Sequence, residues 1–208
     1  VSLLYRWIIN FLMNAKLYDR ISKAFLHDKD ESYKYLKKNL SVGHLDAIFD
    51  NKSALDCKLQ RSNYIFETIS GRGGKILDFG SGFGFLSSFF GSQGAKSVTG
   101  VEIIKGHREV SAHISSQIFR VNNVNFTSKI DQLPKNKFDV ALLNNVISHV
   151  HKPITVLQEI ISRLKHGGKL FIEDNNNWKS PHIRRRNRRK WEKVELKYLR
   201  KREEWLKL

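Results

Sequence analysis

One cysteine, no long apolar run and a shortage of acid set the first limits on this chain of 208 residues. Cys57 stands alone, so no internal disulfide forms within these residues, and a reducing, cytoplasmic setting is the expectation. No activating neighbours surround it, and it reads as an ordinary helix residue. No stretch is long enough to cross a bilayer. The most apolar, LLYRWIINFLM at 3–13, is about half the length required and carries Arg6 and Asn10. It lacks a basic leader and a small-residue cleavage site, so it is not read as a signal peptide. Internal repeats and low-complexity tracts are absent. Acidic residues number 20 against 37 lysines and arginines, a net charge of +17. That excess favours acidic partners: nucleic acid, anionic lipid head groups or a phosphorylated substrate. A solvated helix face is the plainer alternative. About half of the excess sits in residues 179–208, where 13 Lys/Arg face 4 Asp/Glu for a net of +9.

What is present fits a soluble globular protein with one sizeable core. Residues 1–70 read as a helical N-terminal cap. Arg6, Asn10 and Asn14, four apart, leave a narrow polar stripe on an otherwise apolar helix. Such a helix packs as a lid on the following domain or lies against a membrane surface. A second helix is expected over 53–69, ended by the glycines of 71–74. The texture then changes over 71–178. Strands are expected at 75–79, 96–103, 124–128, 138–145 and 168–174, with helices from 85 to about 94, over 106–120 and over 154–165. Strands alternating with helices of this length predict right-handed crossovers and a Rossmann-like, doubly wound, mostly parallel α/β sheet covered on both faces. Beyond Asn177 strand signals stop. Trp191, Val194, Tyr198 and Trp205 recur at helical spacing, so 179–208 reads as a basic amphipathic helical tail.

The most informative stretch is ILDFGSGFG at 76–84. In an open parallel sheet, ligands bind beyond the carboxyl ends of strands where the winding reverses, and the first strand-to-helix turn is the usual place. Gly80 and Gly82 let main-chain N–H groups approach a ligand, and Gly84 lets the next helix pack tightly. A dinucleotide fingerprint, G-x-G-x-x-G, would place its last glycine at 85, which is Phe85. The pattern is D-x-G-x-G-x-G instead. Glu102 follows at the end of the next strand, where a carboxylate accepts hydrogen bonds from ribose hydroxyls.

Taken with VTGVEI, KIDQLPKNKFDVALLNNVISHV and LKHGGKLFIED, this turn resembles the class I S-adenosylmethionine-dependent methyltransferases over about residues 73–175. His166 stands where the family usually has proline. The resemblance implies S-adenosyl-L-methionine as methyl donor. Its methionine part would lie along the turn, among Asp78, Phe79, Gly80, Ser81, Gly82, Gly84 and Phe85. Its ribose would sit on Glu102, and its adenine near Ile103, Ile130 and Asp131, with Lys129 where many relatives carry an acid. Asn144 would reach the donor as well. No metal is implied. The family normally adds a sixth and an antiparallel seventh strand, and no candidate for either follows Asn177. A trimmed fold whose edge the basic helix covers, or a sheet completed beyond these residues, would account for that.

The acceptor is read after the fourth strand. NNVISHV lacks the motif of adenine amino-group enzymes, and Cys57 is misplaced for a C5-cytosine enzyme. The segment is closer to the branch acting on small molecules, lipids or sugars, and transfer to oxygen is expected. His149 and His151 are candidate bases, since imidazole titrates near working pH; packing at the helix start is the alternative for His149. Arg184, Arg185, Arg186, Arg188 and Arg189, flanked by Trp178 and Trp191, form a candidate anion-binding run. It suits an acidic substrate or an anionic membrane surface, which would make the protein peripheral there, or else RNA. Rival readings are an RNA-directed methyltransferase, a non-catalytic donor-binding adaptor on RNA or membrane, and a nicotinamide oxidoreductase.

Overall fold

The computed structural model describes residues 15–40 and 52–174. The expected helix around Arg6, Asn10 and Asn14, the basic tail with its five arginines, and the matter of sixth and seventh strands lie outside the described residues.

Three helices precede the sheet. α1 (Ala15–Leu26) buries Leu17, Ile21, Ala24 and Phe25 at spacings of four, three and one, a single apolar stripe. α2 (Glu31–Asn39) starts on Asp30, whose carboxylate accepts from the N–H groups of Ser32 and Tyr33 at 2.8 and 3.4 Å. α3 (Lys52–Thr68) ends where Ser70 takes a left-handed φ of 54° and the Gly71 N–H bonds the Phe66 carbonyl at 3.0 Å. The stop expected at the glycines is therefore found, with Ser70 rather than a glycine in the left-handed position.

The alternating region gives β1 (Lys75–Phe79), α4 (Phe85–Ser92), β2 (Ser97–Val101) and α5 (Lys105–His113) in succession. A π-helical turn (Ile114–Phe119), β3 (Val124–Thr127) and β4 (Phe138–Asn144) come next. A 3-10 turn (Ile147–His149), α6 (Pro153–Arg163) and β5 (Leu164–Glu173) complete the described chain. The five strands pair in parallel in the order β3-β2-β1-β4-β5. β1 is central, and the winding reverses between it and β4, so the turn after β1 lies at the switch point.

Successive side chains of a strand face opposite ways, and the two faces have separate cores. Ile76, Val98, Val140 and Leu142 pack under α1, α3, α4, α5 and the π turn. Leu77, Val101, Ala141 and Leu143 pack with Phe138, Ile160 and Leu164 on the side of α6. The first cluster joins cap residues Leu17, Ile21, Phe25, Leu36, Leu55, Ile65 and Phe66 to Phe85, Phe89 and Phe90 of α4 without a break.

Two elements differ in detail from the sequence expectation. The helix over 106–120 widens into a π turn at Ile114, and its last carbonyls, of Ile118 and Phe119, accept from the Arg20 guanidinium at 3.0 and 3.4 Å. The fifth strand begins at Leu164 rather than 168. Leu164 pairs with Phe138, then the register shifts, and Gly167 takes a φ of 74° within that irregularity.

Candidate functional site

The turn between β1 and α4 is held from three sides. Gly80 and Ser81 donate their N–H groups to the Val101 carbonyl at 2.8 and 3.1 Å, so the end of β2 fixes the bend. The Ser111 hydroxyl of α5 donates to the Gly82 carbonyl at 3.0 Å. At the base, buried Asp78 accepts from the Ser87 hydroxyl of α4 at 2.5 Å. Burial pushes the Asp78 carboxyl up to about 6, with the Ser87 bond and the nearby Lys58 ammonium opposing that rise.

The glycines have distinct duties. A Cβ on Gly84 would lie 2.6 Å from the Phe126 ring and 2.7 Å from the Ser111 Cβ, so this position is a packing contact between α4, α5 and β3. At Gly82, where φ is 55°, a Cβ would meet no atom within 4 Å. The space over that residue is open, and bare main chain faces it.

Glu102 closes the other side. Its Oε2 accepts from the Gly82 N–H at 3.0 Å and its Oε1 from the Ile104 N–H at 2.9 Å. The carboxylate thus points at the bend, and its backbone donors hold it there. Each oxygen keeps a further lone pair for a ligand hydroxyl. His107 lies beside it, with Nδ1 3.9 Å from Oε1 and its ring 4.3 Å from that of Phe83.

A cavity of about 210 Å³ opens at this place, lined by Asp78, Gly80, Ser81, Gly82, Phe83, Phe85 and Leu86. Lys58 of α3, Leu40, Ile114, Asn144 and Asn145 complete its wall. Asn144, at the end of β4, donates to Glu173 of β5 at 2.9 Å. Its Oδ1 accepts from Asn145 at 3.0 Å and from Arg61 at 3.5 Å. Arg61 pairs with Glu173 at 3.0 Å, tying α3 to the strand ends.

Of the residues singled out in the sequence, the cavity gathers Asp78, Gly80, Ser81, Gly82, Phe85 and Asn144, and Glu102 faces it through the Gly82 N–H. Phe79 and Ile130 are partly buried and pack against the core on the α6 side. Ile103 stands 78% exposed beyond β2. Asp131 is exposed, and its carbonyl accepts from Arg163 at 3.5 Å. His149 closes the 3-10 turn after β4, its side chain outside the described atoms, and His151 is exposed two residues on. In that turn Ser148 donates its N–H and its hydroxyl to Asp174, each at 2.9 Å. Lys58 and Arg61 were not singled out. Their three-residue spacing puts them on one helix face, but which way that face points depends on how the cap docks.

These parts fit an adenosyl sulfonium donor. An open main-chain bend lies next to a carboxylate fixed by its own backbone donors, above a small cavity with apolar and polar walls. Among the described residues no group of histidine, cysteine and acidic side chains is placed to hold a metal. Likewise, no described helix is long and apolar enough to cross a membrane.

A family profile described as a methyltransferase domain matches residues 53–208. The ubiquinone biosynthesis O-methyltransferase of Coxiella burnetii is 32% identical over 124 residues, which are 58% of this chain and 52% of that protein. The arsenite methyltransferase of Homo sapiens is 35% identical over 114 residues, 48% of this chain and 30% of that protein. The chain spans about half the length, or less, of these curated relatives. Among solved structures, a Methanococcus maripaludis protein assigned to the S-adenosyl-L-methionine-dependent methyltransferases aligns over 72% of this chain and 71% of its own, with 18% identity and a TM-score of 0.56. The YcgJ protein of Bacillus subtilis aligns over 55% and 50%, with 24% identity and a TM-score of 0.51. At these identities the structural likeness is one of fold.

Proposed function

The chain belongs to the class I S-adenosylmethionine-dependent methyltransferases, and from that premise we propose that it transfers the donor's methyl group to an oxygen of a small-molecule acceptor. The observation that carries this reading is the open bend at Gly82 with the Glu102 carboxylate directed at its N–H. The donor supplies a methyl group already activated on a sulfonium, so positioning is the main task left to the protein. Glu102 would accept from the ribose, and the bare backbone at 80–82 would receive the methionine part. Asp78 and Ser87 hold that backbone to α4 from below.

Support for a small acceptor comes from two names. One relative is an O-methyltransferase of ubiquinone biosynthesis, and the other acts on arsenite. Oxygen follows the first of these. An oxygen acceptor loses a proton as the new bond forms, and His149 and His151 are the proposed bases, on the segment that follows β4. The reducing, cytoplasmic setting expected from a single cysteine is part of the same proposal.

Calorimetry with S-adenosylmethionine, S-adenosylhomocysteine and NAD tests the donor. Heat from the first two and none from NAD is expected, and the reverse would replace the reading by a nicotinamide oxidoreductase. Incubation with labelled methyl donor and fractionated cell extract tests the acceptor, with label expected in the small-molecule fraction. Donor binding with no label transferred to any fraction would leave a donor-binding adaptor instead. Label in RNA would overturn the choice of acceptor.

A further inference from the structure

Helix α2 is held to α5 by a contact that depends on charge, and both helices lead into the wall of the cavity. Leu36 is wholly buried in the core, and Leu40, four residues on, lines the cavity. Ile114, the residue after His113, lines it too. The Tyr35 ring of α2 stacks on the imidazole of His113, the last residue of α5, with centroids 3.9 Å apart and planes at 20°. The His113 Nε2 lies 3.2 Å from the Ser32 Oγ. Among the described residues this is the one side-chain hydrogen bond that α2 makes to another element. α1 is pinned separately, by Arg20 on the carbonyls of the π turn. It joins α2 through a short turn, where the Asp30 N–H bonds the His27 carbonyl at 3.0 Å. α2 can therefore loosen without α1. The contact at His113 suits a neutral ring. Desolvation lowers its pKa from the ordinary 6.5, and Asp30, on the α2 side, only partly opposes that. On α5 itself Glu109 pairs with Lys105 at 3.8 Å, and Arg20 is committed to the π turn. A lowered folded pKa means that the undocked ring binds the proton better. The stabilisation is whole above pH 6.5 and is lost as pH falls through the lowered folded value.

We propose that His113 is a latch for α2: the neutral ring keeps Leu40 in the wall of the donor cavity, and the protonated ring lets α2 loosen and weakens donor binding. This rests on the methyl-donor reading of the site. Donor affinity then falls in mild acid through a residue that is not part of the cavity lining. Asp78 titrates in the same range, so the pH dependence of wild type alone decides nothing. The comparison is with His113→Phe, which keeps a ring for Tyr35 and loses the titration.

Hydrogen exchange on the full chain at pH 7.5 and pH 5.5, corrected for intrinsic rates, reads α2 directly on both sides of the imidazole range. Protection at 31–39 should fall about threefold to tenfold more in wild type than in His113→Phe, since one proton allows at most about tenfold per pH unit. Protection at 75–79, in β1, should be the same in both. Calorimetry with S-adenosylhomocysteine at the same two pH values should show wild type losing about twofold to tenfold more affinity than the variant. Equal pH dependence of exchange at 31–39 in wild type and His113→Phe overturns the latch. Loosening of α2 with no difference in affinity overturns its link to the donor site. Failure of wild type to bind S-adenosylhomocysteine at both pH values would instead remove the donor reading, while exchange still decides the latch. If His113→Phe melts below wild type at pH 7.5, His113→Gln, neutral and able to bond Ser32, takes its place in both measurements.

Discussion

Glu102 joins the two halves of the candidate site. Its two oxygens take the N–H groups of Gly82 and Ile104, so one side chain links the end of β2 to the bend after β1. Glu102→Ala is expected to weaken S-adenosylhomocysteine by roughly 1.5–3 kcal/mol, the value of hydrogen bonds to a charged acceptor. Gly82→Val acts differently. The space there is empty, so the added methyls fill what a ligand would occupy, and the φ of 55° strains any β-branched residue. Donor binding should vanish, and unchanged affinity in calorimetry would remove the ligand from this place. Asp78 gives a pH signature. Its folded pKa of about 6 lies above the ordinary 3.8, so the folded state binds the extra proton. Its stabilising contribution is whole below pH 3.8 and is lost as pH rises through about 6. Wild type should therefore gain stability relative to Asp78→Asn as pH falls from 7 to 4.5, read from urea midpoints. A difference that does not vary with pH would contradict the assignment.

At the scale of elements, the strands were the most legible part. β1 begins and ends where the sequence placed it, because an apolar run bounded by GRGG and a glycine turn leaves little choice. α5 was less legible. Its periodicity predicts one helix to about 120, yet the chain widens into a π turn from Ile114. The partner that takes its last carbonyls, Arg20, lies about a hundred residues earlier on α1, and no local pattern reveals it. Arg20→Ala should cost roughly 1–2 kcal/mol for the lost bonds to two carbonyls, a fall in Tm of roughly 2–8 °C for a protein of this size. A melt that matches wild type would show that solvent replaces the guanidinium without loss. β5 likewise started earlier than its apolar pattern suggests, since pairing of Leu164 with Phe138 depends on β4 being alongside.

At the scale of the molecule, one apolar cluster runs from α1 through α3 to α4 and the sheet. We therefore expect the described cap and the α/β unit to melt in a single transition, by calorimetry, rather than two. S-adenosylhomocysteine at a hundred times its dissociation constant should add about 2.7 kcal/mol, or about 5–10 °C in Tm. A cap transition at lower temperature, insensitive to that ligand, would separate cap from site. The sequence by itself determined the alternating strands and helices, the parallel sheet, the glycine turn and the carboxylate opposite it. All of these are local spacings, written in hydrophobic period and in residues whose conformational or hydrogen-bonding limits act over a few positions. Tertiary structure alone decided that both Glu102 oxygens are tied to backbone N–H groups, that Ile103, Ile130 and Asp131 fall outside the cavity's lining, that Lys58 joins that lining, and that Arg61 pairs with Glu173. Those outcomes depend on how the cap and the strand ends dock, through contacts between residues far apart in the chain that no short window of sequence contains.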